Sequence, residues 1–442
     1  MRVLIIIVVI DILFSKNLSS QKYDENYYVR SEIEANFKHQ ISKLHFYEDS
    51  ISLEFIRYCD GQDGTNTSVN AISDSLGNLL FYFVNKSLYN KYHEFIFNGD
   101  SLENNFNLLV EDGSTDSSSY TISDHDVFVL PVPGMEGQFL FFYRVSYRSK
   151  LNGYKSPIYF SRVDMNQLNG KGAIVERNIL LSSANHHGMI PIKHANGIDW
   201  WILCPVYGEN MVYTFLLTSE GLIYNNSKIF EISPDNYYYK IFIGTVASDF
   251  TGSYWSSEGN MFAVSYANED VLFFEFDRCN GNIRYAGVFV QKNKEIYPVG
   301  NSSVVFDDLL KVAYFSNRLG TFLFDYKCAK VTQLNVEVVR YKLDSFFSSI
   351  LQYRDKYLLS NYDRIKYIPK VWHMPEKFQF DKELAISQEG WIFRLHRYPN
   401  YRLGKSSGYK QDECIINEGA LSSNIKPKFV FLEKEYFSIL QN

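Results

Sequence analysis

The residues whose types could do chemistry concentrate between positions 186 and 201. His186-His187-Gly188, Lys193-His194 and Asp199-Trp200-Trp201 bring titratable and aromatic groups together in one stretch. Two readings fit them. In the first, Trp200 stacks on a sugar ring while His186, His187, His194 and Asp199 hydrogen-bond to it. Those five residues are then the ligand-binding set. In the second, the tryptophans are core residues of inner strands, and His194 and Asp199 brace a turn. Buried Trp is ordinary core material, which favours the second reading.

Other constellations are weaker. Glu111-Asp112-Gly113-Ser114-Thr115-Asp116, with Asp124 and Asp126 beyond, supplies oxygens of the kind Ca²⁺ takes. The spacing matches neither an EF-hand nor a calcium-binding nonapeptide repeat, so a solvated loop is the better reading. No G-x-S-x-G elbow anchors a Ser-His-Asp triad. No CxxC or Cys/His spacing suggests zinc. The sequence therefore assigns no catalytic residue, no metal and no cofactor.

Five cysteines are present, Cys59, Cys204, Cys279, Cys328 and Cys414. An odd number leaves at least one thiol unbridged or paired between chains. Cys204 ends the apolar run Trp200-Trp201-Ile202-Leu203 and reads as a buried hydrophobe. Cys279 and Cys328 sit at matching points of neighbouring repeats, where blades diverge. A bridge needs Cα atoms within about 7 Å, so two separate thiols are expected.

The elements that must position these residues are strands. Of the 442 residues, 46% are hydrophobic and 21% charged, a globular balance, and 17% are aromatic, which favours pleated surfaces. Net charge is -6 and no Lys/Arg run occurs, which argues against a nucleic-acid partner. Arg2, the apolar run Val3 to Ile10 with Ile12-Leu13-Phe14, and Ser19-Ser20-Gln21 read as a signal peptide over 1–21. Asp11 is unusual inside such a run. The run is too short to span a bilayer, and no other stretch qualifies, so no membrane span is expected once the signal is cleaved. A polar segment, 22–40, is expected to be loose.

Residues 41–442 read as one domain. Gly77-Asn78, Asn196-Gly197, Glu258-Gly259-Asn260 and Glu389-Gly390 each precede an apolar run, the pattern of short hairpins. Tyr341 to Tyr353 fits a helix or a strand. A unit of turn, strand, polar loop, strand, turn recurs at roughly 50 to 60 residues, as propeller blades do. Copies run through Trp201-Ile202-Leu203 with Val212 to Leu217, Met261 to Val264 with Val271 to Phe276, and Val312 to Phe315 with Phe322 to Tyr326. The expected fold is all-β, a single WD-repeat-like β-propeller of about seven four-stranded blades. An N-terminal strand would close the ring, with Ile51 to Tyr58 pairing near Trp391 to Leu395.

Ordered segments carry a family resemblance. They are Ile72 to Leu102, Phe128 to Gly134, Ile158 to Gly172, Ile192 to Ile202, Glu258 to Ile283 and Val304 to Ser316. In these the chain resembles the N-terminal β-propeller region of secreted Bacteroidetes proteins. Such proteins often carry PKD-type domains and a gliding-motility-type C-terminal sorting domain for type IX secretion. The resemblance implies an exported protein. A sorting domain would follow the propeller, and the sequence ends at Asn442. The periplasm therefore stands beside the cell surface as the expected location. Asp49-Ser50-Ile51, Asp74-Ser75-Leu76 and Asp100-Ser101-Leu102 match the Asp-Ser/Thr-apolar pattern of O-glycosylation in that group, and strand-edge turns explain them equally well. The family implies no activity. The expected function is non-enzymatic binding of a protein or glycan at the envelope. A polysaccharide-active enzyme and a structural part of a secretion or motility apparatus are the alternatives.

Overall fold

A computed structural model describes residues 27–33, 38–46, 51–58, 70–84, 86–100, 102, 121–149, 153–206, 211–229, 250–266, 271–289, 303–307, 311–317, 320–334, 349–353, 356–361, 364–369, 382–385, 405–406 and 409. Among them the strands form seven antiparallel sheets in chain order. The first holds β1 (Tyr27–Ile33), β2 (Lys38–Phe46) and β3 (Ile51–Tyr58). The second holds β4 (Asn70–Ser73), β5 (Leu79–Val84) and β6 (Ser87–Asn90). The third is built from β7 (Thr121–Pro131), β8 (Gln138–Ser149), the short β9 (Gly153–Lys155), β10 (Ile158–Asp164) and β11 (Ala173–Ser182). The fourth is β12 (Ile190–Lys193), β13 (Trp200–Pro205), β14 (Met211–Thr218) and β15 (Gly221–Ile229).

The remaining three repeat that plan. They are β16 (Phe250–Trp255), β17 (Met261–Tyr266), β18 (Val271–Phe276) and β19 (Ile283–Phe289), then β20 (Ser303–Asp307), β21 (Val312–Asn317), β22 (Gly320–Asp325) and β23 (Lys330–Leu334). Last come β24 (Ser349–Tyr353), β25 (Lys356–Asn361), β26 (Arg364–Pro369) and β27 (Lys382–Ala385). Each sheet is a meander in which every strand pairs with the next in sequence, except that in the third β10 pairs with β8 and the short β9 is a side strand on β8. In the second sheet, the chain after β6 turns back along it. Ile96 donates to the Leu88 carbonyl at 3.0 Å, Leu88 to Gly99 at 2.8 Å and Leu102 to Lys86 at 2.8 Å, which fills the fourth-strand position.

Burial explains why the apolar runs are continuous rather than alternating. Successive side chains on a strand point to opposite faces. On β13, Trp200, Ile202 and Cys204 pack toward the third sheet, while Trp201 and Leu203 pack toward the fifth. On β18, Leu272, Phe274 and Phe276 face the fourth sheet, and Val271 and Phe273 face the sixth. On β5, Phe81 and Phe83 face the third sheet, and Tyr82 and Val84 the opposite side. Each interior sheet is thus sandwiched between two others, so both faces must be apolar. The first strands of neighbouring sheets also meet: β1 with β4, β4 with β7, β16 with β20 and β20 with β24. Meanders stacked face to face with their first strands adjacent are the arrangement of propeller blades.

Several expectations fall differently. Two strands, β1 and β2, begin within 22–40, the segment read as loose. Ile51–Tyr58 is β3 and pairs with β2 inside the first sheet. Its expected partner at 391–395 lies outside the described residues, as do the 1–21 signal segment and the 111–116 acidic loop. The end of the ambiguous Tyr341 to Tyr353 stretch is strand β24. Among the described residues no helix is long and apolar enough to cross a membrane.

Candidate functional site

In an antiparallel meander, the turn from first to second strand and the turn from third to fourth lie at the same end. That end of the sheets is a mesh of turns, and one chemical device recurs on it. In the second to sixth sheets, the residue closing or just following the third long strand accepts a hydrogen bond from the backbone N–H two positions on. Asn90 takes it from Tyr92 at 2.9 Å, Asp164 from Asn166 at 2.9 Å and Thr218 from Glu220 at 3.1 Å. Asp277 takes it from Cys279 at 2.8 Å and Asp325 from Lys327 at 2.8 Å. Short Asp, Asn and Thr side chains favour such turns because they replace a backbone acceptor. The carboxylates of Asp164, Asp277 and Asp325 are thereby engaged in turn architecture.

The turns also bind neighbouring sheets to one another. Lys171 pairs with Glu94 at 3.0 Å between the third and second sheets, and Lys311 with Glu258 at 3.6 Å between the sixth and fifth. The joint between the fourth and fifth sheets is the most elaborate. Arg278, after β18, donates to the carbonyls of Lys193 at 2.9 Å, His194 at 3.0 Å and Glu258 at 3.0 Å. Its own carbonyl accepts from the Trp201 indole at 2.7 Å and the Ala195 amide at 3.0 Å. Burial lowers the Arg278 guanidinium to about 10. Burial, with the nearby Arg278 charge, pushes Lys193 down to about 8, and its ammonium lies 5.2 Å from the Trp200 ring centre.

The five residues assigned from sequence to a ligand site do not converge. β12 and β13 pair with Lys193 opposite Trp200 and Ile190 opposite Leu203. His194 and Asp199 therefore sit at the turn end of this hairpin, and His186 and His187 at the other. His194 presents Nε2 to the Cys279 carbonyl at 3.0 Å, while Nδ1 faces the Asn196 amide at 3.2 Å. A carbonyl only accepts and an amide only donates, so the proton is on Nε2 and the ring is neutral. Burial holds its pKa below the ordinary histidine value, against the pull of that carbonyl. Asp199 accepts from Asn196 Nδ2 at 2.7 Å, and Asn196 Oδ1 accepts from the Asp199 amide at 3.0 Å. Gly197 supplies the left-handed backbone, φ 75°, that the turn needs.

At the other end, His186 Nδ1 faces the Pro205 carbonyl at 3.2 Å and Nε2 the Ser182 hydroxyl at 2.7 Å. The carbonyl puts a proton on Nδ1, the hydroxyl can serve Nε2 in either role, and burial, reinforced by Arg144, pushes the pKa to about 4, which keeps the ring neutral near pH 7. The His187 amide donates to the Pro205 carbonyl at 3.0 Å. Trp200 is 1% exposed, so it offers no face to a sugar ring. The histidines, Asp199 and Trp200 here hold turns and fill core.

Cys279 is in a disulfide, which corrects the expectation of a thiol there. Cys204 is a buried thiol and Cys328 an exposed one, so Cys279 and Cys328 are not joined to each other. Asp74, the start of one glycosylation-like triplet, accepts from the Leu76 amide at 2.9 Å and the Asn78 amide at 2.8 Å, which is the turn role. Among the described residues no group of three or more His, Cys, Asp or Glu converges to hold a metal.

What sequence reasoning missed is the exposed apolar decoration of this end. Leu76, Tyr92, Phe95, Phe97, Leu168 and Ile198 are all more than half exposed, and all lie in its turns or in the connection after β6. The other exposed large apolar residues among those described, Val175, Ile179 and Leu180, line β11.

No family model matches the sequence, and no curated protein matches it. Solved structures are similar at a distance. Sqt1 of Saccharomyces cerevisiae shares 10% identity over 82% of this chain and 83% of its own, with a TM-score of 0.42. The periplasmic gluconolactonase PpgL of Pseudomonas aeruginosa shares 11% identity over 85% of this chain and 99% of its own, with a TM-score of 0.45. AztD of Citrobacter koseri shares 10% identity over 85% and 87%, with a TM-score of 0.40. Similarity this distant assigns no activity.

Proposed function

We propose that this chain is an exported, non-enzymatic β-propeller, a ring of seven blades closed through its N-terminal sheet, that binds a protein partner at the cell envelope or surface. The observation that carries the binding reading is the clustering of exposed apolar side chains on one end of the sheets. Singly exposed hydrophobics are normal, but a shared face of them marks an interaction surface. Leu76, Leu168 and Ile198 are aliphatic tips, which suit a protein interface. Tyr92, Phe95 and Phe97 would equally stack on sugar rings, which sustains a glycan as the second reading.

Two features support export. The N-terminal apolar run has signal-peptide form, and a disulfide at Cys279 suits an oxidising compartment. The resemblance to secreted Bacteroidetes propellers fits both.

The test compares three immobilised full-length proteins against envelope extracts and a glycan array. These are the native chain, Phe97→Ser/Leu168→Ser/Ile198→Ser, and Ile179→Ser/Leu180→Ser. A protein retained by the first and third and lost by the second is the expected result. Identical retention by all three, or retention of glycans only, overturns the protein-binding reading.

A further inference from the structure

We propose that Asn169 is a site of spontaneous covalent modification: its side chain closes onto the Gly170 nitrogen, loses ammonia and leaves aspartate or isoaspartate at the tip of the turn between β10 and β11. The assignment stands whether or not this end of the sheets binds a protein.

The chemistry is easiest at Asn-Gly, because glycine puts no Cβ in the path of its own nitrogen toward the asparagine Cγ. The chain has five such pairs, at Asn98, Asn152, Asn169, Asn196 and Asn280. Asn152 lies outside the described residues. Among the other four, ring closure needs a side chain that is not tied down and a glycine with room to swing. Asn196 is tied on both atoms. Its Nδ2 donates to Asp199 at 2.7 Å, and its Oδ1 accepts from the Ile198 and Asp199 amides at 2.9 and 3.0 Å. Asn280 donates to Asp277 at 2.7 Å and accepts from the Asn282 amide at 2.9 Å, and Gly281 beside it is pressed on Trp201. Asn98 donates to the Ile174 carbonyl at 3.5 Å. The glycine that follows it, Gly99, is buried, and a Cβ there would lie 2.8 Å from the Ile96 carbonyl oxygen.

Asn169 differs on both counts. Its side chain is exposed and makes no hydrogen bond among the described residues. A Cβ on Gly170 would meet nothing within 4 Å. The flanks of the turn are pinned instead. Asn166 Nδ2 donates to the Glu136 carbonyl at 2.9 Å, Gln167 Nε2 to Asp164 at 3.0 Å, and Lys171 pairs with Glu94 at 3.0 Å. Between these anchors Leu168 and Asn169 both hold left-handed backbone, φ 52° and 57°. Two consecutive non-glycine residues in that region are strained, so moving Asn169 toward the ring geometry gives up no favoured conformation.

The step balances without oxidant or cofactor. The Gly170 nitrogen attacks Cγ of Asn169. The N–Cγ bond forms, the Cγ–Nδ2 bond breaks, and Nδ2 leaves as ammonia with the proton of the Gly170 amide. Water then opens the cyclic imide. Addition at Cγ restores the backbone and leaves aspartate. Addition at the main-chain carbonyl of position 169 leaves isoaspartate, with the chain rerouted through Cγ. Either product sets a carboxylate beside the exposed Leu168.

The experiment incubates the full chain at mildly alkaline pH, folded and unfolded in urea. Samples taken over time are digested and read by mass spectrometry with fragmentation that separates isoaspartate from aspartate. Each hydrogen bond that must break slows closure by a factor of about 2 to 12. In the folded chain Asn169 should therefore convert at least about tenfold faster than Asn98, Asn196 or Asn280. In urea the four rates should converge, since all four precede glycine. Asn169→Gln should remove the conversion at this position and leave the other three rates unchanged. A folded-state rate at Asn169 that equals or trails any of the other three overturns the proposal. So does a lead for Asn169 that persists undiminished in urea, which would place its cause in the local sequence and not in the turn.

Discussion

The Nε2–H of His194 donates to the carbonyl of Cys279 at 3.0 Å, although the two residues are 85 positions apart and belong to neighbouring sheets. Its other nitrogen accepts from Asn196 within its own turn. One neutral ring thus couples the fold of a hairpin to the docking of two sheets. His194→Ala would take this partner from a part-buried carbonyl and a part-buried amide. Each such loss costs about 1 to 3 kcal/mol. We expect His194→Ala to lower unfolding stability by about 2 kcal/mol, measured as a shift in the urea midpoint at constant slope.

Acid should destabilise the protein through His186. Its folded-state pKa is pushed to about 4 by burial, whereas an unfolded histidine titrates near 6.5. The unfolded chain therefore binds the extra proton between these values, and stability falls as pH drops through that window. Above about 6.5 the contribution is complete, and below about 4 it is gone. The full effect is on the order of 3 kcal/mol. Melting temperature followed from pH 7 to pH 4 should decline. His186→Gln should flatten the decline, and an equal decline in the variant would rule His186 out as its source.

Most of the strand pattern was legible in the sequence, and the reason is geometric. Interior sheets bury both faces, so Leu79 to Val84, Trp200 to Cys204 and Val271 to Phe274 read as unbroken apolar runs between turn signals. β1 was not legible because polar and charged residues around its alternating positions resemble a loose segment. For a different reason, the five candidate residues do not come together. Clustering in sequence placed His187 near His194, but the strand between them carries the two to opposite ends of a hairpin. The joint that does form depends on Arg278 and Cys279, which no local pattern connects to His194. The recurring cap at Asn90, Asp164, Thr218, Asp277 and Asp325 was available in principle. It changes residue type between repeats, which hides it from a search for identical letters.

Gly281 reports on the same joint from the fifth sheet. Its backbone is left-handed, φ 72°, and a Cβ there would lie 3.0 Å from Cη2 and 3.1 Å from Cζ3 of Trp201. Trp201 is fully buried and tied to the Arg278 carbonyl, so it has little room to yield. Gly281→Ala should combine backbone strain with overpacking and cost about 2 to 3 kcal/mol. Denaturant unfolding followed by tryptophan fluorescence would measure it. A change below about 0.5 kcal/mol would mean that the two turns are not pressed together as described.

Gly287 and Phe324 test the packing of the fifth sheet on the sixth without any contribution from unusual backbone. A Cβ on Gly287 would fall 2.8 Å from both Cε2 and Cζ of Phe324. That ring is fully buried and stacks on Phe273 with centroids 4.0 Å apart, so it cannot swing aside without breaking the stack. Gly287→Ala alone should therefore destabilise by about 1 to 3 kcal/mol. Phe324→Leu alone should also destabilise, since it removes buried ring atoms. Combined, the smaller side chain should accommodate the added methyl, so the double variant should be more stable than the sum of the single losses by at least about 1 kcal/mol. Strict additivity in this double-mutant cycle would show that β19 and β22 do not meet at these two residues.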